Sequence, residues 1–267
     1  GGSHNGDFER AMWLVEAAAN AGADAVKLQT FTPAQMCEPD VIVQSGPWAG
    51  RNLLDLYQET HTPRDWHKPL FDRAKELGMV AFSSVFHPDD VDFLETLNCP
   101  MYKISSFELL DIPLIKYAAS KGKPLIISTG MGAFNEIRDA VYASGPSLTL
   151  LRCTSSYPAP VADINLSTIK HLEQTFYCKV GLSDHTLGIG VAVASVALGA
   201  TMIEKHLTLR RSDGGPDAAF SSEPEEFAAM VKACREAYLS IGEVKYGPSE
   251  SEKSSLQIRR KPNGKRG

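Results

Sequence analysis

Cysteine is scarce and unpaired in this sequence, with five residues at positions 37, 99, 153, 178 and 234 and no CxxC spacing. The odd count and wide separation exclude a disulfide framework and a paired-cysteine metal knuckle. They point to reduced thiols in a cytoplasmic protein. Excess basic charge is missing as well. The 27 Lys and Arg residues against 32 Asp and Glu leave a net charge of -5, which argues against a general nucleic-acid surface. No secretory signal pattern stands at the start, and no P-loop occurs. The stretch GIGVAV at Gly188–Val193 lacks the full GxGxxG spacing of a dinucleotide turn.

One uncharged run, Thr186–Ile203, is long enough to cross a bilayer. It is rich in Gly and Ala and is bracketed by His185 and Glu204 rather than by basic anchors. A small-residue helix packed on a sheet and leading into a buried strand is the expected structure, with no membrane partner.

The sequence is 267 residues long, 43% hydrophobic and 22% charged. That is ordinary for a folded chain, and α/β barrels use about 250 residues as one domain. Short apolar runs predict strands at Ala25–Phe31, Val80–Val85, Met101–Ser106, Leu125–Gly130, Leu148–Ser155, Lys179–His185 and Met202–Leu209. Helical patterns fill the intervals at Pro63–Leu77, Pro88–Leu97, Ile112–Ser120, Asn135–Ala143, Asp163–Phe176 and Gly188–Leu198. A further helix, Asp7–Asn20, comes before the first strand, and another, Glu223–Ile241, follows the last. Ser222 with Glu225 is the expected capping box of that final helix.

Alternating strands and helices predict a parallel sheet and an α/β fold, the TIM (β/α)8 barrel. Its first strand is expected just upstream of GGSHNG. Residues 1–243 form the expected barrel domain, and residues 244–267 a polar linker or tail. A doubly wound open sheet is the structural competitor, but it would carry a Gly-rich phosphate turn after an early strand.

Catalytic groups of a parallel barrel gather at the C-terminal ends of its strands. Polar residues occupy those ends here: Lys27 and Gln29, Ser83, Lys103 with Ser105 and Ser106, Ser128 and Thr129, Thr154 and Ser155, Ser183 and His185, Glu204 and His206. Burying them without partners costs a few kcal/mol each, so a polar ligand is expected among them. The two lysines and the hydroxyls suit a phosphate or carboxylate. His185 and His206 end neighbouring strands and are candidates to share a divalent metal, with Glu204 beside them to orient a ligand, complete the metal shell or move a proton. In the strand MIEKHLTL, Glu204, His206 and Thr208 share one face, while Lys205 is expected to reach outward between helices without chemical work. A single serine at a strand end is more often a helix cap, and His61, His67, His87 and His171 are expected at the surface or in packing.

Seven segments then carry a resemblance that runs in order along the chain: HNGDFERA, AGADAVKLQT, YKISSFE, LIISTGM, CTSSYPAP, GLSDHTLG and IEKHLTL. They resemble the sialic acid synthase family, whose members condense phosphoenolpyruvate with an amino-sugar. DGGPDAAFS at Asp213–Ser221, LYQETHTPRDWHKPLF and FSSVFHPDDVDFLE resemble the pseudaminic branch of that family. Where neuraminate-forming members carry His after the motif Asp, this chain has Ala218 after Asp217.

The resemblance implies a TIM barrel with Mn²⁺ or a similar divalent ion on His185 and His206. It implies phosphoenolpyruvate held by Lys27, Gln29, Lys103, Ser106, Ser128, Ser155 and Ser183, with His4 and Asn5 near the sugar and Glu204, His185 and His206 as the catalytic set. The implied sugar is an open-chain 2,4-diacetamido-2,4,6-trideoxy-L-altrose, and the implied products are a nine-carbon ulosonic acid and phosphate. Three departures stand out. Family members place a Glu in the strand expected upstream of residue 1. Ser3 stands where Asn is common. Relatives continue into a small antifreeze-like domain that delivers an Arg across a swapped homodimer, and the sequence ends at Gly267 without it. The competing functions are a neuraminate or legionaminate synthase, a Schiff-base aldolase using Lys103 or Lys27, and a non-catalytic sugar-binding barrel.

Overall fold

The computed structural model describes residues 2–262, 264 and 266. Among the described residues, seven strands make one sheet in chain order, every neighbouring pair parallel. They are β1 (Ala25–Thr30), β2 (Val80–Val85), β3 (Tyr102–Ile104), β4 (Leu125–Ser128), β5 (Leu148–Cys153), β6 (Lys179–Asp184) and β7 (Ile203–Lys205). The helices in order are α1 (Phe8–Asn20), α2 (Pro33–Met36), α3 (Leu53–Thr60), α4 (Arg64–Glu76) and α5 (Pro88–Thr96). They continue with α6 (Ile112–Ser120), α7 (Phe134–Ser144), α8 (Ser167–Phe176), α9 (Gly190–Ala197) and α10 (Pro224–Ile241). The parallel α/β barrel architecture expected from the strand–helix alternation is the one found.

The middle strands read as continuous apolar runs because both faces are covered. Leu125, Ile126 and Ile127 of β4 and Leu150 and Leu151 of β5 are at most 2% exposed. They join Leu94, Leu114, Ile169 and Leu172 of the outer helices in the main core. Each such side chain contributes about 1.5–3 kcal/mol by leaving water. A second cluster, with Ala11, Val15, Leu70 and Ala74, seals α1 and α4 against the start of the sheet.

The outermost strands differ. Residues of β7 and most of β1 are only partly buried, since each strand has a single neighbour. A cavity of about 730 Å³ lies between them, lined by Val26 and Leu28 of β1, Ile203 of β7, Val15 of α1 and Met230 of α10. The two edges still meet at the barrel mouth, where Lys27 Nζ pairs with Glu204 Oε2 at 2.7 Å. The strand expected upstream of residue 1 falls outside the described chain.

Three local expectations are corrected. The last helix is capped one residue later than expected, with Glu223 N donating to Glu226 Oε2 at 3.0 Å. Ser222 is drawn instead into a parallel bridge with Leu207, its N–H bonded to His206 O at 2.8 Å. The helix expected over Asp163–Phe176 starts at Ser167, because Asn165 adopts φ of 50° and separates it from a short turn at Val161–Asp163. The uncharged run Thr186–Ile203 does divide as expected, into the helix α9 and the start of β7, and no described helix is long and apolar enough to cross a membrane. Finally, α2 and α3 occupy a stretch in which no element was expected. Asn52 caps α3, its Oδ1 accepting from Leu54 N at 2.8 Å. Residues 244–262 are mostly exposed and contain only short turns at Glu250–Glu252 and Ser254–Ile258.

Candidate active site

Strand register decides which polar side chains share the barrel interior. Gln29 lies beside Ser84, and Ser84 beside Lys103. Since neighbours in register project to the same side, these three form one layer. Ser83, the residue of β2 expected at the site, therefore faces the other way. Its Oγ meets Thr30 Oγ1 at 2.6 Å, which in turn meets His67 Nε2 at 2.8 Å, in a buried chain joining β1 and β2 to α4. Ser84 takes the inner position, 1% exposed, and its hydroxyl has no partner among the described residues. The alternation of β2 was the signal that could have found it.

Lys103 is 1% exposed, and its ammonium donates to Ser128 Oγ at 2.6 Å and to Ile104 O at 2.9 Å. Burial is the main cause that lowers its pKa to about 8, partly offset by Glu204. Glu204 is held by Lys27 and accepts a hydrogen bond from Ser183 Oγ at 2.8 Å. Burial alone would raise its carboxyl, but Lys103 and Lys27 outweigh that and keep it well below the usual carboxylate range. Glu204 is thus a fixed carboxylate.

A second group lies at the ends of β3, β4 and β5. Gly130 N donates to Ser106 Oγ at 3.0 Å, and a Cβ at Gly130 would collide with the hydroxyls of both Ser106 and Ser155. Only glycine lets the backbone come this close, and the result is a small hydroxyl-rimmed cradle. Ser105 behaves as the plainer reading had it, as a cap accepting from Phe107 N at 3.3 Å.

The two histidines stand at adjacent strand ends with ring centroids 5.5 Å apart. His185 Nδ1 donates to Thr154 O at 3.0 Å, and His206 Nδ1 faces Asp217 Oδ2 at 3.6 Å. In both rings an oxygen acceptor occupies the Nδ1 side, which leaves Nε2 with its lone pair, as a metal ligand requires. Burial lowers the His206 pKa, and it remains a neutral donor. Burial opposes but does not cancel the effects of Cys153 and Thr154, which raise that of His185. Asp217 would be raised by burial, yet His206 beside it brings the carboxyl down to about 2. Two imidazoles with free Nε2 atoms fit a divalent transition ion. Among the described residues no set of three or more His, Cys, Asp or Glu side chains is spaced to hold a metal.

His4 is 4% exposed, its Nδ1 accepts from Gly6 N at 3.0 Å, and its buried Nε2 has no partner among the described residues. Burial lowers its pKa to about 4, so at neutral pH it presents one unused N–H donor. Asn5 is exposed, and its Nδ2 donates to Gly214 O at 3.2 Å, which ties the start of the chain to the Asp213–Asp217 loop. Sequence reasoning passed over Asp217, Ser84 and Tyr157. The Tyr157 ring lies 4.3 Å from that of His185 and 5.0 Å from that of Phe220. Among the remaining histidines, His67 is fully buried and His87 caps α5, with Nδ1 accepting from Asp89 N at 3.2 Å.

A family model described as the NeuB family matches residues 14–246. The chain belongs to the NeuB family. The chain is 42% identical to a pseudaminic acid synthase of Helicobacter pylori, over 90% of this chain and 73% of that protein. It is 36% identical to an N,N'-diacetyllegionaminic acid synthase of Campylobacter jejuni, over 98% and 81%. Its fold matches the crystal structure of an N-acetylneuraminic acid synthetase from Leptospira borgpetersenii with a TM-score of 0.86, at 29% identity over 99% of this chain and 90% of that one. The family assignment made on the seven ordered segments is therefore confirmed, and with it the barrel as the fold of this NeuB-family chain.

Proposed function

We propose that the protein is a pseudaminic acid synthase, joining phosphoenolpyruvate to open-chain 2,4-diacetamido-2,4,6-trideoxy-L-altrose and releasing phosphate. One observation carries the reading. The chain has a higher identity with a pseudaminic acid synthase than with the other relatives above, and its barrel mouth sets the buried Lys103 and the partly buried Lys27, with several hydroxyls, beside a histidine pair.

Lys27 and Lys103 receive the carboxylate and phosphate of phosphoenolpyruvate, with Ser84, Ser128 and the Ser106–Gly130–Ser155 cradle supplying neutral donors. Gln29, in the layer with Ser84, and Ser183 complete the ring. Ser84 enters this set because its hydroxyl is buried and unpartnered. His185 and His206 would hold a divalent ion, Mn²⁺ by resemblance, which when bound polarises a sugar aldehyde. The enol carbon forms the new C–C bond to the aldehyde carbon as the aldehyde π bond opens and its oxygen takes a proton, which leaves C2 cationic. Water then adds at C2 and loses a proton, and the C2–O bond to phosphate breaks with its electron pair going to the phosphate, leaving C2 as a keto carbon. Glu204 is too firmly held as a carboxylate to serve as a strong base, and its work is to orient water or a sugar hydroxyl against Lys27 and Ser183. The free Nε2–H of His4 donates to a sugar oxygen.

Lys103 gives the reaction a basic limb. As pH rises through about 8, the free protein loses the Lys103 proton and one positive charge facing the anion. kcat/KM for phosphoenolpyruvate should fall about tenfold per pH unit above that point, and Lys103→Arg should remove the fall. A flat profile to pH 9.5 in the unaltered protein refutes this role.

The substrate assignment is tested by mass spectrometry of products formed from phosphoenolpyruvate and a panel of amino-sugars. Pseudaminic acid from the L-altrose derivative, in preference to N-acetylmannosamine or the legionaminic precursor, is expected. Preference for either of the others transfers the chain to that branch.

A further inference from the structure

The face of β7 turned away from the site is not idle. Lys205 does not reach solvent between helices. Its side chain is 1% exposed, and its ammonium donates to Asp184 Oδ2 at 2.6 Å and to Thr186 O at 2.7 Å. Asp184, 0% exposed at its side chain, spends its other oxygen on Thr186 N at 2.9 Å and Thr186 Oγ1 at 2.8 Å. None of these groups touches the reacting centre.

Their place in the sheet gives them a task. β7 is three residues long and pairs only with β6, while its other edge borders the cavity. Its backbone is fixed by the β6 ladder and, just past its end, by the Leu207–Ser222 bridge, so side chains between β6 and β7 share in setting the register. A slip of one residue would turn Glu204 and His206 to the outside. Asp184 and Lys205 are direct register partners, one position beyond the Ser183 and Glu204 pair. Any slip would leave an ammonium and a carboxylate apart in a low-dielectric interior, which is strongly unfavourable. His185 follows Asp184 in the chain and His206 follows Lys205, so the ion pair and the histidine pair are set by the same alignment.

We propose that the Asp184–Lys205–Thr186 cluster is the register lock of β6 and β7, a positioning device that sets the separation of His185 and His206 and hence the affinity of the site for a divalent ion. The inference rests on the two-histidine reading above. The test measures Mn²⁺ binding by electron paramagnetic resonance without substrate, alongside thermal melting. In the Asp184→Asn/Lys205→Met double variant both charges are removed together, which leaves no lone buried ion. It should melt within a few degrees of the unaltered protein yet bind Mn²⁺ at least about tenfold more weakly, the scale typical of groups that orient metal ligands. A remote core change, Leu172→Ala in α8, should lower melting and leave Mn²⁺ affinity alone. Unaltered affinity in the double variant, or an equal loss in Leu172→Ala, overturns the lock. Should the double variant not fold, Thr186→Val decides, with a severalfold loss of affinity in support and none against. Absence of Mn²⁺ binding by the unaltered protein refutes the two-histidine reading itself, and the lock with it.

Discussion

Lys103→Met lowers kcat/KM for phosphoenolpyruvate by about 10²–10³-fold, roughly 3–4 kcal/mol of transition-state stabilisation. The size follows from position. The ammonium is 1% exposed and lies beside Ser128, with Glu204 and Lys27 close enough to influence its titration. In such surroundings a charge is poorly screened and an anion gains far more from it than in water. Methionine keeps most of the volume and removes the charge, so the loss should appear in kcat/KM with little change in melting temperature. A buried lysine with lowered pKa is also what Schiff-base catalysis uses, and Lys103→Arg separates the two. Arginine retains the charge and should keep measurable turnover if Lys103 binds the anion, whereas an imine mechanism would lose all of it. Borohydride with substrate should leave Lys103 unmodified, and a trapped adduct would replace the anion role with covalent catalysis.

His185→Ala should remove Mn²⁺ binding from the measurable range and cut kcat/KM by about 10³-fold or more, since one imidazole cannot hold the ion that a pair shares. The fold should survive, because the ring contributes only a hydrogen bond to Thr154 O and a weaker contact with Cys153 Sγ, and packs on Tyr157 at the mouth, outside the main apolar core. Isothermal titration with Mn²⁺ and phosphate-release kinetics read the two effects separately. Full activity with EDTA present, in the unaltered protein and in His185→Ala alike, would eliminate any metal role for these residues.

Much of this arrangement was legible along the chain. β2 and α6 have the bounds the apolar pattern predicts, Val80–Val85 and Ile112–Ser120, because both are regular segments bounded by turn or capping residues. The ring of strand-end residues was also visible, since a parallel barrel sends all its C-terminal strand ends to one side. Three features were not. α3 follows a loop with no periodic pattern and depends on an Asn52 cap whose worth is decided only when the helix finds a surface. Ser83 and Ser84 are chemically identical, and register alone sends one to His67 and the other inward. Lys205 needed Asp184 from the next strand before its burial made sense.

The amino-acid sequence by itself determined the family, the order of strands and helices, and the identity of the lysines, serines and histidines on offer. Periodicity and motif order are local properties, written within a few residues of each other. Only the tertiary structure decided which of those groups are free to act. It left the hydroxyl of Ser84 and Nε2 of His4 unpartnered, fixed Glu204 as a carboxylate, and joined His206 to Asp217 across a loop. Charge state and hydrogen-bond vacancy depend on what lies within a few ångströms in space, and in this barrel those neighbours come from different strands and the loops between them.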